Sequence, residues 1–434
     1  MHPLRGSLRL YLSPMGWQTA GLLRTLERTQ WLEQDKLRQL QWTRLSRLLW
    51  HAYTHVAYYR TLWDDRGLSP RGIQSFEDFQ KIPPLTKADL RFSVHGLKPR
   101  SRVRPVDVQR KVAESAARLR AHGWFGLGPA AREIVLGRAP ARVADPACYR
   151  ALHEWLANSK YLPMLDAEDE TLERCVEVIN RHRPEKIYGY PSVLNLLAGH
   201  LHQRRQRPAP GLAAVFTTRE PLFDFQRRRL ESAFGCPVSM EYSSSTTGLV
   251  ANECPEGSLH IFQEGIYAEI INPDHAGRGE LVVSNLDSFM FPIIRFRTGD
   301  IASLKQSPCA CGRALPHLIV VDSQQAGFIV TPRGSVHRAS AVIKVFGEAP
   351  GIREFKVIQE AVDHVVAQVV PQDRVPAIDH ATLIGRLRLL LGNDVRVDVV
   401  LVPTISRDPL GRFSYIESRA VAPAKAGATA GLTS

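Results

Sequence analysis

Short β-rich segments alternate with amphipathic helical segments through the middle of the chain, and this alternation constrains the fold more than any other feature. The predicted strands cover 213–217, 238–242, 265–271 and 279–284. The predicted helices cover 107–123, 192–201 and 225–234. Chains of this pattern bury a sheet beneath helices, because each element has one apolar face to cover. The sequence therefore predicts an α/β fold.

The two ends of the chain differ from this central pattern. Leucines recur at helical spacing across 20–62, which predicts helix there. After residue 320 the pattern becomes compact α+β, with predicted strands near 353–359, 364–370 and 395–402 and a helix near 380–391. We therefore predict a large N-terminal domain over 1–321, a small C-terminal domain over 322–419 and a disordered, low-complexity tail over 420–434.

Composition narrows the class of protein. The 434 residues are 44% hydrophobic and 23% charged, which excludes collagen-like, coiled-coil and largely disordered chains. A net charge of +13 is spread along the chain without a compact basic run, so we expect a generally basic surface and no nucleic-acid partner. The absence of an apolar run near the roughly 20 residues of a spanning helix, and of a signal-peptide-like start, predicts a cytoplasmic protein.

Four residues form a candidate metal site. Cys254 and His260 lie around the turn 255–257, and Cys309 and Cys311 flank one alanine. Three thiolates and an imidazole make a closed tetrahedral set of the kind that holds structural Zn²⁺. The alternative is that Cys254 is a core thiol and His260 an ordinary strand histidine. Six cysteines in a chain of this length do not indicate a disulfide scaffold.

Four segments together carry a family signature. They are Tyr188-Gly189-Tyr190-Pro191-Ser192, Glu241-Tyr242 continuing into Glu253-Cys254-Pro255-Glu256-Gly257, Arg295-Phe296-Arg297-Thr298-Gly299-Asp300, and Pro308-Cys309-Ala310-Cys311-Gly312-Arg313. In this order and spacing the chain resembles the adenylate-forming superfamily, and within it the branch of phenylacetate–CoA ligases and CapK-like proteins. The resemblance covers roughly residues 35–418.

This resemblance implies an ATP-dependent acid–CoA ligase of polysaccharide or aromatic-acid metabolism. Such enzymes join a carboxylic acid to the α-phosphate of ATP and then pass the acyl group to the thiol of coenzyme A. By resemblance, Tyr242 and Asp300 bind the nucleotide, and Asp300 accepts two hydrogen bonds from the ribose hydroxyls. The substrate-pocket residues are Tyr190, Pro191 and Ser192. Without the resemblance, Asp300 is simply an aspartate in the turn after Gly299.

The phosphate loop departs from the family pattern. The family has a Ser-Gly-Ser-Thr-Gly-x-Pro loop that holds phosphate through its backbone amides. Only Gly96, Lys98 and Pro99 match that pattern here, and Val94 and Leu97 prevent the close backbone approach that phosphate needs. Gly96 and Lys98 remain the candidate nucleotide contacts, and we expect a damaged loop.

Two catalytic positions are also changed. Thr246 stands where the family has the glutamate beside Mg²⁺, so a neutral hydroxyl replaces a charge. Arg412 stands at the catalytic lysine, and arginine differs from lysine in shape and hydration. Gln324 replaces the linker arginine, and Ala326 or Gly327 replaces the hinge carboxylate. Read alone, the segment around Thr246 is a polar loop after a strand.

The sequence thus leaves three functions open. The chain is an acid–CoA ligase acting on a small carboxylic acid, a catalytically degenerate scaffold or ligand-binding partner, or an acyltransferase that starts from a preformed thioester. Under the first, ATP, Mg²⁺ and coenzyme A are the cofactors beside zinc. The altered motifs favour lost or slowed adenylation, because they fall on the groups that stabilise charge in the transition state.

Overall fold

The structure, a computed structural model, describes residues 14–90, 107–137, 154, 158–163, 168–208, 210–323, 327–347, 349–372, 379–408 and 412–420. The helices are α1 (Pro14–Thr29), α2 (Gln34–His55), α3 (Ala57–Asp64), α4 (Phe76–Phe79), α5 (Val108–Gly123), α6 (Asp169–His182), α7 (Pro191–Arg204), α8 (Asp224–Phe234), α9 (Ala339–Gly347) and α10 (His380–Leu391).

The strands follow in the same chain order. They are β1 (Glu133–Gly137), β2 (Ser159–Pro163), β3 (Lys186–Gly189), β4 (Ala214–Thr218), β5 (Val238–Ser244), β6 (Gly248–Glu253), β7 (Leu259–Ile261), β8 (Ile266–Ile271), β9 (Gly279–Asn285), β10 (Ile293–Lys305), β11 (His317–Asp322), β12 (Phe328–Val330), β13 (Val336–Arg338), β14 (Ile352–Ala361), β15 (His364–Pro371), β16 (Arg396–Leu401) and β17 (Ile416–Ser418). The α/β class predicted from the sequence is confirmed.

The chain divides into two compact units, and the first takes its residues from Met1–Ala131, Trp155–Asn158 and Ser239–Val321. Its strands lie in the order β5-β6-β7-β11-β10-β9-β8. Helices α1 and α5 pack on this sheet through a buried cluster that includes Leu26, Ala116 and Leu249. A second cluster, centred on the fully buried Trp63, joins α2 and α3 to the end of β9 and to β10.

The second unit takes its residues from Arg132–Glu154, Ser159–Val238 and Asp322–Ser434 and contains two larger sheets. The first has the parallel order β2-β1-β3-β4. Every residue of β4 is buried, as is typical of a parallel strand covered on both faces. Helices α6, α7 and α8 pack on this sheet; Pro191 opens α7, and Gly235 ends α8 in the left-handed conformation.

The C-terminal part of the second unit forms a separate four-stranded sheet in the order β16-β15-β14-β17. Its core joins α9 and α10 to the sheet, and Asp379 caps α10 by accepting a hydrogen bond from the Thr382 backbone N–H. The predicted strands and helix of this region are all present. The predicted domain boundary at 321/322 stays a prediction, and the tail beyond residue 420 lies outside the described residues.

The prediction of helix across 20–62 was right in type but wrong in continuity. Three helices occupy this part of the chain, with interruptions at 30–33 and at Val56. Val56 is extended, with φ −118° and ψ 105°, and it closes α2 by donating its N–H to the Ala52 carbonyl. Helical leucine spacing does not reveal such breaks, because leucines recur at that spacing within the helices on both sides of them. None of the described helices is long and apolar enough to span a bilayer.

Helix α10 offers a matched test of the C-terminal core. Leu387 is 0% exposed and belongs to the core cluster, whereas Leu389 on the same helix is 89% exposed. We expect Leu387→Ala to lower the free energy of unfolding by about 2–5 kcal/mol, because it removes buried methyl groups and leaves a cavity. Leu389→Ala should change it by less than about 0.5 kcal/mol. Urea unfolding of both variants measures the difference, and equal losses would contradict the placement of α10.

Candidate functional site

The best-defined element of the candidate nucleotide site is a tyrosine–aspartate pair in the first unit. Tyr242 lies near the end of β5, and its hydroxyl donates a hydrogen bond to the carboxylate of Asp300 in β10. Asp300 is 5% exposed, and burial, followed by the charge of Asp300, raises the pKa of Tyr242 well above its usual value. Tyr242 therefore stays a neutral donor that orients the carboxylate.

A β-bulge presents Asp300. The pairing of β10 with β9 shifts register between Arg297 and Ile301, and Gly299 within the bulge has φ +82°, a conformation that favours glycine. The hydroxyl of Thr298 accepts from the Asp300 backbone N–H at 3.0 Å and donates to the Leu281 carbonyl at 2.9 Å. The backbone of 297–300 therefore holds Asp300 in place. Without the resemblance, the sequence indicated only a turn after Gly299.

Thr246 lies in the tight hairpin loop between β5 and β6. The loop is held by its neighbours: the Ser244 hydroxyl accepts from the Thr247 backbone N–H at 2.9 Å, and the Asn285 side chain donates to the Thr247 carbonyl at 2.7 Å. Within the described residues the Thr246 hydroxyl makes no hydrogen bond. The position therefore offers a neutral, half-buried oxygen.

The two carboxylates near this loop are already paired with arginines of α5. Glu241 is buried and accepts from Arg118 at 2.7 and 3.2 Å. Glu114 accepts from Arg110 at 2.8 Å, and Arg110 also donates to the Ser245 carbonyl at 3.3 Å. Neither carboxylate offers a ready substitute for the acidic residue that Thr246 replaces, because each is neutralised by its own arginine.

The four predicted metal ligands come together in the first unit. The ligand atoms of Cys254, His260, Cys309 and Cys311 all lie within 4.8 Å of one another. Cys254 follows β6, His260 is in β7, and the other two lie in the turn between β10 and β11. The sulfurs of Cys254 and Cys309 are 3.8 Å apart, and His260 Nε2 is 3.1 Å from the Cys311 sulfur.

The separation of the Cys254 and Cys309 sulfurs fits one tetrahedral ion. Metal–sulfur bonds of about 2.3 Å at tetrahedral angles place two sulfurs about 3.8 Å apart. The Nδ1 of His260 donates to the Leu315 carbonyl at 2.9 Å, which leaves Nε2 as the ligand atom. Burial lowers the pKa of His260 to about 4, so the imidazole is neutral, as a ligand must be. Burial raises the pKa of Cys254 to about 12, so its thiolate needs a neighbouring cation.

Arg412 belongs to the second unit and is bound by Asp408. The Asp408 carboxylate accepts from the Arg412 backbone N–H at 2.8 Å and from its guanidinium at 2.8 and 2.7 Å. Both side chains are about one-third exposed. The assignment of Arg412 to the catalytic lysine position stays a prediction, but the structure shows that Arg412 carries an intrinsic counter-ion, which the sequence analysis did not anticipate.

The predicted pocket segment lies at the start of α7 in the second unit. Tyr190 precedes the helix, Pro191 is its first residue, and the buried Ser192 follows. The backbone N–H and the hydroxyl of Ser192 both donate to Glu220, at 3.0 and 3.1 Å. The sequence analysis missed Glu220, although its position just after β4 was a signal, since the carboxyl ends of parallel strands form functional edges.

Several predicted residues lie outside the described part of the chain. Gly96, Lys98 and the rest of the candidate phosphate loop fall in 91–106, and Gln324 and Ala326 fall in 324–326. Their roles stay predictions. Gly327 is described and has φ +84°, with the Ile416 backbone where a side chain would extend.

Comparison with known proteins identifies relatives. Residues 329–419 match the family model described as the CapK C-terminal domain. The phenylacetate–coenzyme A ligase of Thermus thermophilus is 29% identical over 325 residues, which are 65% of this chain and 69% of that protein. Protein CapK of Staphylococcus aureus is 28% identical over 149 residues, which are 34% of this chain and 33% of CapK.

Solved structures show the same fold. A 2-hydroxyisobutyryl-CoA ligase in the postadenylation state, in complex with R3-HIB-AMP, has a TM-score of 0.72 at 20% identity, covering 90% of this chain and 92% of that chain. The same ligase in complex with 2-HIB-AMP has a TM-score of 0.72 at 20% identity, covering 89% and 91%.

The hairpin at Thr246 can be tested through Gly248. Its φ of +76° strains any other residue, and a Cβ there would overlap the Glu114 carboxylate and lie 3.0 Å from Arg110. We expect Gly248→Ala to cost about 1 kcal/mol for the left-handed backbone and more for separating Glu114 from Arg110. Gly277→Ala, with φ +72° and open space around it, controls for the backbone cost alone. Equal losses in urea unfolding would show that the ion pair is not formed against this loop.

Proposed function

We propose that this chain, a member of the adenylate-forming superfamily in the branch of phenylacetate–CoA ligases and CapK, is an acid–CoA ligase-like protein with slowed adenylation. Its ligands are a small-molecule carboxylic acid, an adenine nucleotide and, as acyl acceptor, coenzyme A. The observation that carries the proposal is the Tyr242–Asp300 pair, a buried carboxylate held at a bulge where two ribose hydroxyls can donate to it.

In the proposed reaction the acid's carboxylate oxygen bonds to the α-phosphorus of ATP, and pyrophosphate leaves. The thiol of coenzyme A then bonds to the acyl carbon, and AMP leaves. Asp300 orients the ribose in both steps, with Tyr242 holding the carboxylate in place. Mg²⁺, when bound, neutralises phosphate charge; Thr246 would hold it only through a neutral hydroxyl, so that charge stabilisation is weak.

The second candidate is a non-catalytic ligand-binding protein, and one observation favours it. Arg412 is engaged by Asp408 through its backbone and side chain, so less of its charge is available to a phosphate group. A protein of this kind would keep the nucleotide or acyl ligand through Asp300 and the Tyr190–Ser192 segment. Such a protein would bind these ligands without catalysing adenylation.

We also propose that the Cys254–His260–Cys309–Cys311 site holds structural Zn²⁺. Three sulfurs and one nitrogen are a donor set that zinc prefers, and four protein ligands leave no open position for a substrate. Zinc would link the end of β6 and strand β7 to the turn between β10 and β11. The Ala314 backbone N–H in that turn donates to the Gln30 carbonyl at 3.0 Å, so the site also supports the end of α1.

The proposed function predicts weak ATP binding and slow pyrophosphate release. Loss of one charge-stabilising group costs about 10²- to 10³-fold in rate, and such losses do not simply add. We expect calorimetry to detect ATP·Mg²⁺ binding that Asp300→Ala abolishes and Thr246→Ala leaves unchanged. Pyrophosphate exchange across aromatic and aliphatic acids should be far below about one turnover per second.

A double variant, Thr246→Glu with Arg412→Lys, tests which element limits the rate. We expect the double variant to raise the rate of pyrophosphate exchange by less than about tenfold, because the Gly96-Leu97-Lys98-Pro99 segment still lacks the small residues of a phosphate loop. Fast turnover in the unmodified protein would contradict slowed adenylation. Binding of an acid or adenylate without any exchange would favour the second candidate.

The zinc proposal predicts about one equivalent of zinc per chain in protein purified without chelator. Cys309→Ser should lower that content and reduce the free energy of unfolding by more than about 2 kcal/mol, since metal binding to the folded state contributes folding free energy. Cys236→Ser, a cysteine outside the cluster, is the control and should keep its zinc. Zinc content below half an equivalent in the unmodified protein would contradict the assignment.

A further inference from the structure

A buried carboxylate in the second unit connects the pocket helix to the C-terminal sheet domain. Glu220 is 8% exposed and accepts three hydrogen bonds, two from Ser192 and one from the Phe413 backbone N–H at 2.7 Å. The Ser192 N–H is one of the donors at the start of α7 that have no acceptor within the helix, and the Tyr190 side chain does not cap the helix. Glu220 therefore caps this helix from outside, where a negative charge is favoured by the helix dipole.

A second set of contacts runs parallel to the first. Arg407 donates to the Ser192 hydroxyl at 2.7 Å and to the Glu354 carboxylate at 2.8 Å. The Arg407 and Glu354 side chains are 8% and 7% exposed, so both charges are buried and depend on each other. The Arg407 guanidinium also lies 5.0 Å from the centre of the Phe413 ring. Ser192 thus accepts from Arg407 and donates to Glu220.

These contacts hold Arg407 and Phe413 in place. Asp408 and Arg412 are also bonded to each other: the Asp408 backbone N–H donates to the Arg412 carbonyl at 3.0 Å, in addition to the contacts of the Asp408 carboxylate with Arg412. Arg412 is therefore fixed at a defined place relative to Ser192. Polar bonds of this directional kind specify position more strictly than apolar contacts, because a small shift breaks them.

Aromatic packing beside the network attaches the C-terminal domain independently. Phe225 in α8 packs against Phe355 and Tyr415, and Gln226 donates to the Tyr415 hydroxyl at 2.8 Å. Removing one polar bond from the Glu220 network therefore leaves the two parts attached. Because the domain has this second attachment, the network favours a role in placing Arg412.

We infer that Glu220 is a positioning residue that sets the place of Arg412 relative to the pocket segment at Ser192. The inference rests on the proposed function for the role of Arg412, while the positioning itself is a property of the fold. Displacement of Ser192, as by a ligand seated against the start of α7, is transmitted through Glu220 and Arg407 to Phe413 and Asp408, the neighbours of Arg412.

Limited proteolysis tests the positioning directly. Trypsin cleaves after Arg412 when the Arg412–Phe413 bond leaves the network, and the cleavage rate follows local opening. We expect Glu220→Gln to raise the rate at this bond at least about tenfold, because the amide has one acceptor oxygen for three donors and its NH₂ faces N–H groups. Ser192→Ala, which removes only the bridging hydroxyl, should raise it by a smaller factor.

Glu231→Gln, the same substitution in α8 at a surface ion pair, is the control and should leave the rate unchanged. Cleavage mapped by mass spectrometry must rise at Arg412–Phe413 without a matching rise after the exposed Arg419. An unchanged rate in Glu220→Gln, or an equal rise at all sites, overturns the inference.

Kinetics separates this inference from the proposed function. If the unmodified protein supports pyrophosphate exchange, Glu220→Gln should lower kcat and leave the KM for ATP within about twofold, since Glu220 acts through Arg412 and not on the nucleotide. A raised KM with unchanged kcat overturns the inference. If the unmodified protein shows no exchange, the proposed function fails, and site-specific exposure of Arg412–Phe413 still supports the positioning role.

Discussion

Buried arginine–carboxylate pairs are the interaction on which both units depend. In the first unit, Arg120 bonds Glu264 at 2.7 Å, and Arg295 bonds Glu269 at 3.0 Å. In the second unit, Arg407 and Glu354 form a buried pair in the same way. Each pair joins segments far apart in sequence, and removing either partner would strand a charge in the interior. Part of the arginine excess that gives the chain its +13 charge therefore serves the interior and not the surface.

Local structure was predictable because its causes are local. Helix α10 begins and ends where the spacing of its leucines and its aspartate cap place it, and the neighbouring strands agree to within about two residues. The clustering of Cys254, His260, Cys309 and Cys311 was predictable because thiols and imidazoles are few and chemically distinctive. Thr246 and Arg412 were identified only by their place in a familiar order of motifs, and that order says nothing about their present partners.

The missed interactions of Glu220 share one physical property, which is distance along the chain. Glu220 and the Phe413 backbone lie 193 residues apart, and no periodicity relates them. A glutamate after a strand has many partners open to it, and only the packed structure selects Ser192 and Phe413. The Asp408–Arg412 contact is local, but the resemblance concerns only the cation and implies nothing about the carboxylate four residues before it.

The contacts of α1 have a consequence for the synthesis of the chain. Thr29, in its last turn, donates to Glu264 at 2.6 Å across 235 residues, and Leu26 packs among strands formed from equally distant sequence. At about 5–20 residues per second, a ribosome needs more than ten seconds to make that intervening chain. During this time the apolar face of α1 has no sheet to cover it. This uncovered apolar surface favours association with other apolar surfaces while the chain is being made.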